Sequence, residues 1–122
     1  METMTQKDKE LLLKDLCARL PYNPLVEYKG ESYNVLGIAH GRLVLCKPFM
    51  SYTLKENPLV EEVKPYLFPI SSMTEEQKEE WRGIRWSKLP WDELNWLNKG
   101  HWDYRHLIEK GLAIDATGKN IY

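Results

Sequence analysis

The residues best suited to bind a metal ion lie near the C-terminus, where His101, Asp103 and His106 follow each other closely. A zinc site needs roughly three or four converging ligands, and histidines five positions apart do not share one face of a helix. Asp103 is also placed to cap a following helix, a role that occupies its carboxylate. The sequence therefore predicts neither a metal ion nor a cofactor at this group.

Nucleophilic catalysis requires a cysteine or serine beside a base such as histidine. Cys17 and Cys46 belong to no Cys-x-x-Cys pair and lie among apolar neighbours, a setting typical of buried and inert thiols. His40 could meet either thiol only through the tertiary fold. Because no nucleophile elbow, phosphate-binding loop or zinc-protease motif occurs, the sequence predicts no catalytic residue. An enzyme or small-ligand binder, with a site between a sheet and the C-terminal helices, is the third functional hypothesis.

Arg82, Arg85 and Lys88 are interleaved with tryptophans, an arrangement that suits a protein that stacks single-stranded bases and neutralises phosphates. Four glutamates between positions 75 and 80 belong to the same predicted helix and would repel a phosphate backbone. The whole chain carries 17 Lys and Arg against 18 Asp and Glu, without the basic excess of a dedicated nucleic-acid binder. Nucleic-acid binding is therefore the second hypothesis.

All five tryptophans fall between positions 81 and 102. The first four are five residues apart, a step that matches neither a helix face nor a strand face. Trp81 and Ile84 fit the core face of one helix, and Trp91 fits that of the next with Leu94 and Leu97. The other three tryptophans are expected to be exposed, and exposed indoles are frequent in protein interfaces. The predicted contact patch consists of Trp86, Trp96, Trp102, Tyr104 and Arg105.

The N-terminal part of the chain is predicted to form an amphipathic helix over residues 6–20, with Thr5 as its N-cap. The charged residues of this segment, Asp15 and Arg19 among them, are expected to face solvent. The predicted core-facing stripe consists of Leu12, Leu13, Leu16, Cys17 and Leu20.

Residues 25–70 change to the alternation of apolar and polar side chains that is typical of strands. A turn is predicted at Gly30-Glu31, a bulge at Gly37 and a tight hairpin turn at His40-Gly41. A returning strand over 42–47, a polar loop over 54–58 and a proline-bounded segment over 64–69 complete this part. The pattern predicts a small antiparallel sheet or meander of three to five strands.

The C-terminal part is predicted to be mostly helical. Thr74 and Gln77 form a capping box that starts a helix ending at Trp86, and Pro90 begins a second helix that Gly100 closes. A third, short helix is predicted over 104–110, and a final strand over 112–114. Together these elements predict a single α+β domain over residues 1–122.

Three segments of the chain are distinctive: LCARLPY (16–22), VKPYLFPISSMTEEQ (63–77) and WLNKGHWDYRHLIEKGLA (96–113). They resemble a family of short proteins from gut Bacteroides-type bacteria and their phages and prophages. No activity, cofactor or catalytic residue is established for that family, so the resemblance carries over no functional residue. It implies a small cytoplasmic accessory protein that is carried by a mobile element.

The composition, with 43% apolar and 29% charged residues among 122, is that of a folded globular domain and excludes a disordered chain. The N-terminus lacks the apolar segment of a signal peptide, and no apolar run approaches the ~18 residues of a membrane span. We therefore expect a soluble cytoplasmic protein without membrane contact. The preferred hypothesis is a non-enzymatic module that binds a protein partner or itself.

Overall fold

A computed structural model of the chain describes residues 4–48, 57–86, 90–119 and 121–122. Helix α1 spans Gln6–Arg19, so the predicted N-terminal helix is confirmed. The Thr5 hydroxyl accepts a hydrogen bond from the backbone N–H of Asp8 at 3.1 Å, which satisfies one of the unpaired donors of the first turn.

Within these residues, five strands form one mixed sheet in the spatial order β3-β2-β1-β4-β5. Along the chain they are Leu25–Tyr28 (β1), Glu31–Ala39 (β2), Arg42–Cys46 (β3), Lys64–Leu67 (β4) and Ile114–Asp115 (β5). The first four strands pair antiparallel, whereas β5 lies parallel to β4. A parallel neighbour is reached only through a crossover connection, and here the crossover contains both C-terminal helices. The α+β prediction is confirmed, and only the edge strand departs from the antiparallel pattern.

The hairpin turns of the sheet use residues with positive φ. His40 and Gly41, with φ of 54° and 73°, form the predicted tight turn between β2 and β3. The turn between β1 and β2 lies at Lys29 and Gly30, one residue before the predicted position. The pairing register of β2 with β3 shifts just before Gly37, which confirms the predicted bulge.

Short 3-10 helices occupy Leu20–Tyr22, Val60–Glu62 and Ile70–Ser72. The second of them leads into β4, and the third leads into the next α-helix. Most of the predicted loop over 54–58 lies outside the described residues.

The main core lies between α1 and one face of the sheet. From α1, Leu12 and Leu16 are completely buried, and they pack against side chains of β1, β2 and β3. The strand residues of this core are Val26, Tyr28, Tyr33, Val35, Leu43 and Leu45. Burial is confirmed for Cys46, but Cys17 is exposed, so the prediction of a buried thiol is wrong there.

The expectation that Asp15 and Arg19 face solvent is also wrong, because both residues are 0% exposed. Positions 12, 15, 16 and 19 follow the spacing that places residues on one helical face, so the two charges share the face of Leu12 and Leu16. Cys17 follows Leu16 by one residue, about 100° around the helix, and therefore points away from the core.

Two antiparallel helices, Glu75–Trp86 (α2) and Pro90–Lys99 (α3), form a hairpin between β4 and β5 in chain order. The predicted capping box is confirmed, because the backbone N–H of Gln77 donates to the Thr74 hydroxyl at 3.1 Å and the N–H of Thr74 donates to Gln77 Oε1 at 2.9 Å. No residue of α2 is buried. The hairpin is held to the rest of the molecule through the C-terminal half of α3, where Leu97 and Asn98 are buried.

The predicted third helix over 104–110 is wrong, because this segment forms turns. The predicted helix cap at Asp103 is wrong with it: the Asp103 carboxylate accepts hydrogen bonds from the backbone N–H groups of Leu107 at 2.8 Å and Ile108 at 3.0 Å, four and five residues further on, and so closes a turn. His106 has a φ of 58°, in the left-handed region, and this interrupts a right-handed helix between Asp103 and the apolar residues that follow.

Candidate functional site

Trp86 and Trp91 flank the connection between α2 and α3 and are 81% and 62% exposed. Leu94, one helical turn after Trp91, is 45% exposed. We call these three residues the hairpin tip. The prediction that Trp91 and Leu94 belong to the core is wrong, because the N-terminal half of α3 extends beyond the core and only its last turns reach buried neighbours. The expected exposure of Trp86 agrees with the structure.

The expected exposure of Trp102 is wrong, because this residue is only 6% exposed. Its backbone forms a parallel bridge with Phe68, just beyond the end of β4, and this bridge places Trp102 beside the sheet, where its indole is buried. The Trp102 ring packs against Phe68 at 5.7 Å between centroids and is nearly parallel to the Trp96 ring at 6.2 Å. Trp102 therefore anchors the chain after α3 to the sheet.

Trp81 and Trp96 are half-buried and join the two helices of the hairpin. The indole N–H of Trp81 donates to Glu93 Oε1 at 3.1 Å, and that of Trp96 donates to Glu80 Oε1 at 2.9 Å. Each helix thus supplies one tryptophan and one acceptor to the other. The role predicted for Trp81 as an anchor agrees with this arrangement, whereas Trp96 is less exposed than the predicted contact patch requires.

Tyr104 and Arg105, the last two residues of the predicted patch, belong to a buried charge cluster together with Asp15 and Arg19. Arg19 holds Asp15 with two hydrogen bonds, Nε to Oδ2 at 2.8 Å and Nη2 to Oδ1 at 3.0 Å. Arg105 Nη1 donates to Asp15 Oδ1 at 2.8 Å and to the Tyr104 hydroxyl at 2.8 Å. Both guanidinium groups lie over the Tyr104 ring, at 5.1 and 4.6 Å from its centroid. The cluster therefore fixes α1 to the segment after α3.

A backbone contact completes this junction, since Arg19 Nη2 also donates to the carbonyl oxygen of Trp102 at 2.7 Å. The sequence did not predict this cluster, because the charges of Asp15 and Arg19 indicated that both side chains face solvent. Their spacing from Leu12 and Leu16 was the signal that could have found it.

His101 is buried beside this cluster and stacks on the ring of Tyr122, with 3.5 Å between ring centroids. Burial, assisted by the charge of Arg19, lowers the pKa of His101 to about 4. The Tyr122 hydroxyl accepts a hydrogen bond from the backbone N–H of Leu25 and donates one to the carbonyl of Tyr66, each at 2.9 Å. Although 43% of Tyr122 is exposed, burial of its hydroxyl raises the pKa of Tyr122 to about 12. Both rings are thus neutral and dock the C-terminus onto β1 and β4.

The cations of the predicted nucleic-acid interface are already paired where the structure describes them. Arg82 forms an ion pair with Glu79 one turn before it. Arg85 Nε lies 3.5 Å from a carboxylate oxygen of Glu93, and its guanidinium lies over the Trp81 ring at 5.2 Å. Lys88 lies outside the described residues.

A groove of about 590 Å³ opens between α2, the end of α3 and the segment after β5. Its wall contains Phe68, Trp96, Gly100 and Trp102, and we call it the aromatic groove. A Cβ atom at Gly100 would lie 2.4 Å from Trp102 Nε1, so only glycine lets the indole approach this closely. The residues of the groove come from three separate parts of the chain, 68–80, 96–102 and 117–118, and no local sequence pattern could have joined them.

The structure thus divides the predicted patch among three places: the hairpin tip holds Trp86, the aromatic groove holds Trp96 and Trp102, and the charge cluster holds Tyr104 and Arg105. In the described parts of the chain, no three His, Cys, Asp or Glu side chains are grouped so that they could hold a metal ion. No helix among the same residues is both long and apolar enough to cross a membrane. No protein-family model matches the chain, and neither a curated protein nor a solved structure shows significant similarity to it.

Proposed function

We propose that the chain is a small non-enzymatic interaction module that assembles with a second copy of itself through the α2–α3 hairpin. The observation that carries this proposal is the hairpin tip, where Trp86 and Trp91 leave 81% and 62% of their surface exposed beside Leu94. Large apolar side chains that are exposed together mark contact surfaces, and tryptophan is enriched among residues that dominate binding energy.

The outer face of α2 supports a second copy as the occupant. Glu75, Glu79, Arg82 and Trp86 follow one another at four-, three- and four-residue steps and therefore share one face, which we call the α2 stripe. All four residues are exposed. Contacts to α3 come from the opposite face, through Glu80 and Trp81. The α2 stripe is thus acidic towards the start of the helix and basic and aromatic towards its end.

Such a stripe complements itself when two helices lie antiparallel about a two-fold axis. With the axis between positions 79 and 82, Glu79 of each copy faces Arg82 of the other, and each Trp86 covers the first turn of the opposite helix at Glu75. The ion pair between Glu79 and Arg82 within one helix would then become part of a network of four charges. Complementary charges of this kind fix register and orientation, and the indoles supply apolar area.

Nucleic-acid binding is the weaker proposal, because Arg82 and Arg85 are both paired with glutamates and would have to exchange these partners for phosphates. The sequence resemblance to short proteins of Bacteroides-type bacteria and their phages supports a setting in the bacterial cytoplasm, as an accessory protein of a mobile element.

Variants that reverse one charge of the proposed interface test self-association. Sedimentation over a range of protein concentrations measures the fraction of dimer. Wild-type chain is expected to show concentration-dependent dimers. Glu79→Arg and Arg82→Glu, each alone, should be monomeric because each places like charges opposite one another. An equimolar mixture of the two variants should form dimers again, as should the double variant that carries both changes. A folding defect in the single variants would not be repaired by mixing them.

Lys14→Glu, an equal charge change on the exposed face of α1, is the matched control and should leave the dimer intact. Trp86→Ala should weaken the dimer at least about thirtyfold, because a hot-spot tryptophan typically contributes about 2 kcal/mol or more. A wild-type chain that remains monomeric at every concentration would contradict self-association. A complex with a different protein that disappears in Trp86→Ala or Trp91→Ala would then assign the hairpin to that partner.

A further inference from the structure

The aromatic groove has the size and the walls of a small-molecule site. Its volume of about 590 Å³ lies within the range of roughly 300–1,000 Å³ that is typical of ligand pockets. Trp96 and Phe68 flank the buried ring of Trp102, so the groove offers planar apolar surface to a ligand. The hydrogen bond from Trp96 Nε1 to Glu80 Oε1 at 2.9 Å holds one of these rings in place.

Two opposite charges line the same groove without neutralising each other. Lys99 has no hydrogen-bond or ion-pair partner among the residues that the structure describes. Glu80 accepts the indole N–H of Trp96 but pairs with no described cation. The indole N–H of Trp102 likewise donates to no group in the described part of the chain. The groove therefore presents an ammonium and a spare donor for an anion, and a carboxylate for a cation.

We propose that the aromatic groove binds a small zwitterion with a planar ring, of the aromatic α-amino acid class. The ligand carboxylate would contact Lys99, its ammonium would contact Glu80, and its ring would pack against Trp96 and Phe68. A ligand that carries both charges a short distance apart matches this wall better than a simple anion does. An anion bound at Lys99 would leave the Glu80 carboxylate without a counter-charge and would be repelled by it. This site lies at the C-terminal end of α3, away from the hairpin tip, and the inference does not depend on self-association.

Indole N–H resonances of ¹⁵N-labelled protein provide the test, with L-phenylalanine as the probe because it carries no indole of its own. The five signals are assigned with single Trp→Phe variants. L-phenylalanine should shift the Trp96 and Trp102 signals saturably, with a Kd on the order of 1 mM or tighter for a ligand of this size. The Trp86 and Trp91 signals serve as internal controls and should not move.

Ligand analogues resolve the three contacts. 3-Phenylpropionate lacks the ammonium, 2-phenylethylamine lacks the carboxylate, and L-alanine lacks the ring; each should bind roughly tenfold more weakly, the loss expected for one charge-assisted or aromatic contact. Glu80→Gln and Lys99→Met should produce similar losses. Glu80→Gln keeps an oxygen that accepts the Trp96 N–H, so it removes the charge without releasing the indole. Lys110→Met, which removes an exposed lysine outside the groove, is the matched control.

Three results would overturn the inference. The first is the absence of a saturable shift at Trp96 and Trp102. The second is equal binding of L-phenylalanine and both single-charge analogues, which would leave only apolar adsorption. The third is unchanged affinity in both Glu80→Gln and Lys99→Met. None of these results bears on the charge-exchange experiment at the α2 stripe, so the two proposals can fail separately.

Discussion

The junction between α1 and the segment after α3 buries charges, whereas the tip of the α2–α3 hairpin exposes tryptophans. At the junction Asp15 and Arg19 are 0% exposed, yet each is held by directed hydrogen bonds. At the tip Trp86 is 81% exposed and contributes little to the core. Residue type alone would place these side chains the other way round.

The difference shows that partners, rather than polarity, decide where these side chains lie. A buried charge is tolerated when the protein supplies a counter-charge and hydrogen-bond partners. Here an i,i+4 ion pair is supplemented by Arg105 and by a backbone carbonyl, and only Nη1 of Arg19 lacks a hydrogen-bond partner among the described residues. The exposed Trp86 has no hydrogen bond or ring contact among the described residues, and exposed aromatic side chains of this kind are frequent in contact surfaces. The first region therefore serves stability, and the second is the surface on which the proposed self-association rests.

Removing one charge from the junction should have the largest effect on stability. Asp15→Asn keeps the size of the side chain but leaves the buried guanidinium of Arg19 without a counter-charge, which typically destabilises a protein by about 3–5 kcal/mol. Urea unfolding of the variant and the wild type measures the change. Glu10→Gln alters an exposed carboxylate of the same helix and should stay within about 0.5 kcal/mol of wild type. Equal stability of both variants would mean that the cluster is not a paired, buried unit.

Sequence reasoning succeeded where structure depends on neighbours along the chain. Thr5, the Thr74–Gln77 capping box and the His40-Gly41 turn are local devices whose geometry is encoded within a few residues. The periodicity of helices and strands gave the α+β class for the same reason.

Reasoning from sequence failed where a residue depends on a distant partner. Trp102 is buried because its backbone pairs with that of Phe68. Arg19 is buried where it donates a hydrogen bond to the carbonyl of Trp102, a residue 83 positions further along the chain. The contacts that form the aromatic groove are of the same kind. Even so, the helical spacing of positions 12, 15, 16 and 19 already indicated that Asp15 and Arg19 lie on the buried face. Their charge led to the opposite prediction.

A pH titration probes the junction through His101, which lies beside Arg19. Its pKa is about 4 in the folded protein against 6.5 ordinarily, so the folded state favours the neutral ring. Stability should be complete above pH 6.5 and should fall as the pH drops towards 4, because the unfolded chain binds the proton first. The loss should be at most about 1.4 kcal/mol per pH unit.

His101→Asn should flatten this dependence, and asparagine tolerates the positive φ of 59° at this position. Urea unfolding at several pH values within the window measures both slopes. The pKa values of Glu31 and Asp115 are held below their ordinary 4.5 and 3.8, so these carboxyls add their own loss of stability as the pH approaches those values. The slopes are therefore compared above about pH 5.5, where the unfolded-state carboxyls are still ionised. An identical slope in the variant would place the titrating group elsewhere.

The smallest effects on stability should come from a glycine-to-alanine substitution, made once beside the junction and once in the α2–α3 hairpin. The two changes in the free energy of unfolding should have opposite signs. Gly100→Ala brings a Cβ to 2.4 Å from the indole of Trp102, next to the junction, and should destabilise the protein by about 1–3 kcal/mol. Gly83→Ala adds a methyl group on α2 that would meet no described atom within 4 Å apart from the backbone of its own helix. The change should stabilise the protein by up to about 1 kcal/mol, because alanine favours a helix over glycine. Thermal unfolding measures both changes. A destabilising Gly83→Ala would show that α2 is packed more closely than its exposed residues indicate, and the contrast between a filled junction and an open hairpin would then be lost.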